Sequence, residues 1–329
     1  MNDMQFDIGL LNDAIYRERA FKKYSDHELL EFIKKKSAEI SENIFYYIQR
    51  DALYINYQKK KILQDIINEL THLISTARYY QNYTKLEEYV IVEILKKIEA
   101  MFKEYSRYGA IYMFRHAAKT ERFSEKYKNY TGVSKEAIST EVSPLCKAVM
   151  DEVLMSPKKV RLIIAHSEYP RTKILGELIA YTVSKINGKT DKKVDIQMAG
   201  YDSRIDHYWT EKSWDEWDGL AKKYGNGDDF KAFVEWFKGN MIDAKFQPNP
   251  VEVRRSVNDF VHSWNNKIND TSEYTIVIGI SHSPTVDVLI FNMIPSMETN
   301  ISHLIETANF CKVECNEFCY LGKWVKLKT

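Results

Sequence analysis

The chain reads as an α/β protein, a doubly wound, mostly parallel sheet with helices on both faces, preceded by an all-α N-terminal region. Three observations carry that reading. After about residue 107, apolar runs of strand length alternate with helix-period segments, the pattern of successive βα units in one sheet. All seven prolines lie between Pro144 and Pro295, and Gly9 is the only glycine in the first hundred residues, so the first third lacks the punctuation of turns. That first third instead carries apolar residues at a spacing of three and four.

The elements follow in order. Ser25-Asp26-His27-Glu28 and Thr84-Lys85-Leu86-Glu87 are capping boxes, each ahead of an amphipathic stretch. Leu29, Leu30, Ile33, Ile40, Ile44 and Ile48 form one stripe, Ile62, Ile66, Leu70 and Leu73 a second, and Ile91, Leu95, Ile98 and Phe102 a third. The spacing predicts three or four helices in a bundle or hairpins over residues 1–106, a first domain. Residues 107–329 form the second. Its strands are predicted at Ala110-Ile111-Tyr112-Met113-Phe114, at Val160-Arg161-Leu162-Ile163-Ile164-Ala165, at residues 194–199 and at Tyr274-Thr275-Ile276-Val277-Ile278-Gly279-Ile280. Helices are predicted over residues 135–152 and 171–185, and a helical insertion over about 208–268 separates the last two strands. Strand-like pieces at 311–313 and 324–327, joined by a turn at Gly322, end the sequence.

Charge and composition narrow the function classes. The formal net charge is +1 over 329 residues, which gives no bulk field for nucleic acid. No apolar run approaches the roughly 20 residues of a membrane helix, and the first residues lack the basic-then-apolar order of a signal peptide, so a cytoplasmic protein without membrane contact is expected. Cys311, Cys315 and Cys319 are evenly spaced and would share one face of an extended strand. Without a fourth ligand they read as small buried thiols, and no metal is expected.

Three strand ends carry the chemistry. The first runs into Arg115-His116-Ala117, the second into His166-Ser167-Glu168-Tyr169-Pro170-Arg171-Thr172, and the late one into Ser281-His282-Ser283-Pro284. The C-terminal mouth of parallel strands is where α/β sheets hold ligands. Two arginines and two histidines brought there suit a phosphate dianion, with one imidazole available as nucleophile.

These residues resemble the signature of the histidine phosphatase superfamily, the phosphoglycerate mutase-like proteins. Arg115-His116-Ala117 is similar to its Arg-His-Gly, the stretch from Ser167 to Thr172 to its Ser-x-x-x-Arg-Thr, and Ser281-His282 to its late Ser-His or Thr-His. The resemblance covers about residues 107–329. It implies a phosphoglycerate mutase-like fold and a phosphohistidine on His116, with Arg115, Arg171 and His282 on the phosphoryl oxygens and no cofactor. In one branch of the family the proton donor is a glutamate after a middle strand, and in another an aspartate directly after the late histidine. Ser283 occupies the latter place here, so the donor is sought in Tyr201-Asp202-Ser203-Arg204-Ile205-Asp206, with Asp206 first and Asp202 second. Lys119 and Arg122 follow the first motif and would add positive charge. His166 reads as structural.

Two departures from the family pattern stand out: Ala117 for glycine, and Pro284 close after the late histidine. The aromatic residues of the insertion, among them Tyr208, Trp209, Trp214, Trp217, Phe233, Trp236 and Phe237, suit a cap over the site or a small core of their own. The expected activity is phosphomonoester hydrolysis on a phosphorylated small molecule or phosphoprotein. The alternatives are a phosphomutase and a phospho-ligand binder that has lost the donor. The N-terminal helices are candidates for contact with a protein partner or a second copy.

Overall fold

The computed structural model describes residues 25–50, 53–83, 86–105, 109–117, 140, 142–156, 159–185, 193–206, 211–241, 249–269, 273–294 and 303–327. Three helices come first: α1 (Asp26–Arg50), α2 (Tyr57–Tyr83) and α3 (Glu88–Tyr105). α1 starts at the expected capping box. Ser25 N donates to Glu28 Oε2 at 2.9 Å, and Glu28 N donates back to Ser25 Oγ at 3.4 Å. Half of the second box, Thr84 and Lys85, lies outside the described residues. All three predicted stripes are buried, from Leu29 to Phe102. α1 packs on α2, and α2 on α3.

The α/β part then runs β1 (Ala110–Arg115), α4 (Ser143–Met155), β2 (Lys159–His166), α5 (Pro170–Ser184), β3 (Lys193–Tyr201), a 3-10 turn (Ser203–Ile205), α6 (Glu211–Gly225), α7 (Asp229–Lys238), α8 (Pro250–Asn269), β4 (Tyr274–Ser281), α9 (Ser283–Met293), β5 (Phe310–Glu314), β6 (Glu317–Tyr320) and β7 (Lys323–Lys326). The sheet order is β3-β2-β4-β1-β5-β6-β7. β3, β2, β4 and β1 are parallel, and the remaining pairings are antiparallel. No described helix is long and apolar enough to cross a membrane.

The C-terminal end differs from expectation. Three strands stand where two were read, because Cys315 and Asn316 take left-handed φ values of 53° and 59°. Two such residues make the tight turn that suits a β-hairpin. Cys311 and Cys319 therefore lie on opposite strands, with Cys315 in the turn between them, and the three thiols do not line one strand face. Gly322, at φ 77°, makes the predicted turn into β7.

Strand alternation divides the interior in two. Ala110, Tyr112, Phe114, Val160, Leu162, Ile276 and Ile278 point into one core. That core also contains the stripes of α1, α2 and α3 and the inner faces of α4 and α5. Ile111, Met113, Ile163 and Val277 point into the other, which is filled by α6, α7, α8 and α9. The change of architecture near residue 106 is thus crossed by a continuous core. Within the insertion, Trp217, Phe233 and Trp236 are buried, and Phe233 meets Phe291 of α9 edge-on at 5.4 Å. α8 lies directly on the sheet: a Cβ at Gly279 would sit 2.6 Å from Met113 Sδ and 3.0 Å from the Phe260 ring. Tyr208 and Trp209 fall outside the described residues, and for Trp214 only the backbone is described.

At the end of the strands away from the three motifs, four charged side chains are buried together. Lys59 Nζ reaches Glu152 Oε1 at 3.0 Å and also bonds Glu314. Lys312 Nζ lies 3.4 Å from Glu152 and 3.1 Å from Glu314. The hydroxyls of Tyr47 and Tyr112 donate to Glu152 Oε2, at 3.0 and 2.9 Å. The cluster ties α1 and α2 to α4, β1 and β5.

Candidate functional site

β2, β4 and β1 are consecutive neighbours, and their C-terminal ends are level, with Arg115 opposite Ser281 and His166 opposite Ile280. The chain leaves each strand still bonded to its neighbour. His116 N donates to Ser281 O at 2.9 Å, and Ser167 N donates to Ile280 O at 3.0 Å. The three motifs therefore converge on the end of β4.

His116 and His282 come within 4.8 Å, ring centre to ring centre. His116 Nδ1 is 2.6 Å from Ala117 O. A carbonyl oxygen only accepts, so Nδ1 carries the hydrogen and Nε2 keeps its lone pair. His282 is the reverse. Arg171 NH2 lies 2.9 Å from His282 Nδ1, and a guanidinium only donates, so Nδ1 accepts and Nε2 carries the hydrogen. That Nε2–H donates to Ser167 Oγ at 3.0 Å, and Ser167 Oγ is 3.1 Å from Thr172 Oγ1. Tyr169 supports both partners: its ring meets His282 edge-on at 5.0 Å, and Arg171 Cζ stands 4.8 Å over its centre.

Arg171 is 6% exposed. Burial lowers its pKa to about 10, with the positive charge of Arg115 adding to the effect, so it is fully charged at neutral pH. Arg115 is half-buried at the end of β1, and its NH1 donates to Ile305 O. Two guanidinium groups that feel each other's charge favour an anion between them. α5 and α9 both begin here, with N-caps at Tyr169 and His282. The positive ends of both helix dipoles add partial positive charge. Pro284 lies in the first turn of α9, where an amide has no intrahelical partner, so its missing N–H costs the helix nothing.

The two candidate donors separate. Asp202 caps the 3-10 turn, and Arg204 grips its carboxylate through Nε at 2.9 Å and NH2 at 2.6 Å. Burial would raise the Asp202 carboxyl, but the bonds from Arg204 outweigh it and hold it below the ordinary value. Asp206 is half-buried and accepts from Tyr201 OH at 3.0 Å. Its backbone carbonyl accepts from Thr285 Oγ1 at 3.0 Å, and Ser281 Oγ donates to Ile205 O at 2.5 Å. The 3-10 turn is thus hung on the β4–α9 junction that carries His282. Lys119 and Arg122 lie outside the described residues. His166 is 8% exposed, and its Nδ1 sits 2.7 Å from Ser167 O, a bond that ties the ring to the local backbone. A cavity of about 290 Å³ lies beside the end of β1, lined among others by Leu145, Ala148, Ala308 and Asn309.

Sequence reading assigned no role to Ser167, Tyr169 or Thr172, although all three stand inside the second motif. Their part as supports of His282 and Arg171 emerges only when β2 and β4 are placed side by side.

No family model matches the chain, and no curated protein matches it. Members of the histidine phosphatase superfamily are among the solved structures that it matches. One is a phosphoserine phosphatase mutant from Entamoeba histolytica in complex with phosphoserine, at 10% identity and a TM-score of 0.39, covering 67% of this chain and 95% of that one. A mycobacterial glucosyl-3-phosphoglycerate phosphatase matches at 14% identity and a TM-score of 0.36, over 62% of this chain and 89% of the other. The α-ribazole phosphatase of Shigella flexneri matches at 10% identity and 0.32, over 66% and 94%. Their substrates are properties of those proteins.

Proposed function

We propose that the chain is a cytoplasmic phosphomonoester hydrolase that works through a phosphohistidine on His116. One observation carries the reading. His116 holds its hydrogen on Nδ1 against the Ala117 carbonyl, which leaves the Nε2 lone pair beside a buried Arg171–His282–Ser167 relay. Arg115 and Arg171 each have the forked geometry that spreads over two phosphoryl oxygens, and His282 adds a donor by turning its Nε2–H from Ser167 Oγ to the phosphoryl group. Four free thiols suit a reducing compartment.

In the first step His116 Nε2 attacks phosphorus and the bond to the ester oxygen breaks. The Asp206 carboxylic acid hands its proton to the departing oxygen. In the second step the Asp206 carboxylate takes a proton from water, whose oxygen attacks phosphorus. The N–P bond breaks, releasing inorganic phosphate and restoring His116. Lys119 and Arg122 are assigned to supplementary charge around the phosphate, and Asp202, held by Arg204, to fixing the turn before Asp206.

The test is turnover of p-nitrophenyl phosphate from pH 5 to 8 in EDTA, wild type beside His116→Ala. The expected result is turnover that the substitution lowers at least about a thousandfold. A wild type that binds vanadate without turning over substrate would transfer the assignment to a phospho-ligand binder. Neither turnover nor binding would remove phosphoryl chemistry from the site.

A further inference from the structure

Arg115 NH1 donates to Ile305 O, and the other polar end of Ile305 is held as well: Ile305 N donates to Asp287 Oδ1 at 2.7 Å. Asp287 stands on α9, one turn beyond His282, and is 2% exposed. Its second oxygen accepts from Ser283 Oγ at 2.6 Å. One buried carboxyl thus ties the residue after His282 to the segment that runs alongside the end of β1. Ala308 of the same segment donates to Arg115 O at 3.1 Å, and Asn309 O accepts from Arg115 N at 3.0 Å.

We infer that Asp287 is a positioning residue of the phosphoryl site, acting through the backbone of Ile305 to hold the Arg115 guanidinium where it meets the phosphate. The inference rests on the phosphatase reading, in which Arg115 binds the phosphoryl group. Its physical basis is preorganisation. Arg115 and Arg171 repel when no anion lies between them, so an unanchored Arg115 would swing away and have to be drawn back at each binding event. The Ile305 carbonyl anchors it through a neutral acceptor. A carbonyl of a loop is a firm anchor only when that loop is fixed, and the Asp287 carboxyl supplies the fixing. The carboxyl reaches both sides of the site, Ser283 beside His282 and Ile305 beside Arg115, so it sets their spacing.

The experiment is a double-mutant cycle on the full chain, with Asp287→Ala, Arg115→Ala and the pair, read out as vanadate dissociation constant and as kcat/KM for p-nitrophenyl phosphate. Asp287→Ala is expected to weaken vanadate binding roughly tenfold, and the pair to lose no more than Arg115→Ala alone within about twofold. Asp287→Asn keeps an acceptor for Ile305 N–H and is expected to stay within about threefold of wild type. Should Asp287→Ala fail to fold, Ser283→Ala strips the hydroxyl that orients the carboxyl and takes its place in the same cycle, with a smaller loss that again vanishes in the Arg115→Ala background. An active wild type with losses that multiply in the pair overturns the inference alone. A wild type that neither turns over substrate nor binds vanadate overturns the phosphatase reading, and this inference with it.

Discussion

His116 and His282 have the same side chain and hold their hydrogens on opposite nitrogens, because one faces a carbonyl and the other a guanidinium. That difference was hidden in the sequence, where each is a histidine at the end of an apolar run. Arg115, His116, Arg171 and His282 were legible as candidates because each stands at a strand end or within a few residues after one. Tyr169 and Asp287 were not: an isolated tyrosine in a loop and an aspartate among apolar helix residues carry no sign of their partners, His282 for the one and Ile305 for the other. Asp287 has a further consequence at this scale. Burial pushes its carboxyl up to about 7, against the opposing pull of Ser283, the Ile305 amide and Arg115. Between its ordinary value of 3.8 and about 7, the folded chain holds a proton that the unfolded chain has released, so stability falls as pH rises through that window. Asp287→Asn has no proton to lose. The unfolding free energy of wild type minus that of the variant is expected to fall by on the order of 4 kcal/mol between about pH 4 and pH 8, measured by urea denaturation. A difference that stays flat with pH would mean that the carboxyl ionises in the fold as readily as in the unfolded chain.

Among the elements, α2 owes its place to a charge that its sequence disguises. Lys59-Lys60-Lys61 reads as a solvated basic run, and Lys60 and Lys61 are indeed exposed, whereas Lys59 is 1% exposed. Its partners Glu152, Lys312 and Glu314 are spread over more than 250 positions from α2 to β5, each of them an ordinary surface residue type, so no periodicity marks the set. Burial would push the Lys59 ammonium toward neutrality, but Glu152 and Glu314 outweigh it and hold its pKa well above the ordinary value. Burial would likewise raise the Glu152 carboxyl, yet Lys312 and Lys59 hold it well below. Two positive and two negative charges balance only while all four are present. Lys59→Met leaves two carboxylates facing one ammonium in a site closed to water, and is expected to cost about 3–5 kcal/mol in urea denaturation. Adding Glu314→Gln restores the balance and is expected to return part of that loss. A single substitution costing under about 1 kcal/mol would show that water reaches these charges.

Over the whole molecule, the sheet is a wall between two cores, and what covers each side decides which pieces of chain can fold alone. The first third looked self-sufficient in sequence because it lacks proline, has one glycine and carries complete apolar stripes. A stripe states that a face is buried and not what buries it, and here the stripes of α1, α2 and α3 share one core with Tyr112, Phe114, Ile276 and Ile278 of the sheet. The parallel strands and their order of appearance were readable for the opposite reason: a near-continuous apolar run, such as Tyr274 to Ile280, declares burial on both faces. A chain beginning at residue 107 would keep the three motifs but bare one face of the sheet, and would strand Lys312 between Glu152 and Glu314 without Lys59. It is therefore expected to aggregate or to lack fixed tertiary structure, giving no near-ultraviolet circular dichroism signal and no turnover of p-nitrophenyl phosphate, where the full chain gives both. A monomeric, active product from residue 107 onward would show that the sheet holds its shape without its helical cover. The shared core would then be a docking surface between two units, each able to fold without the other.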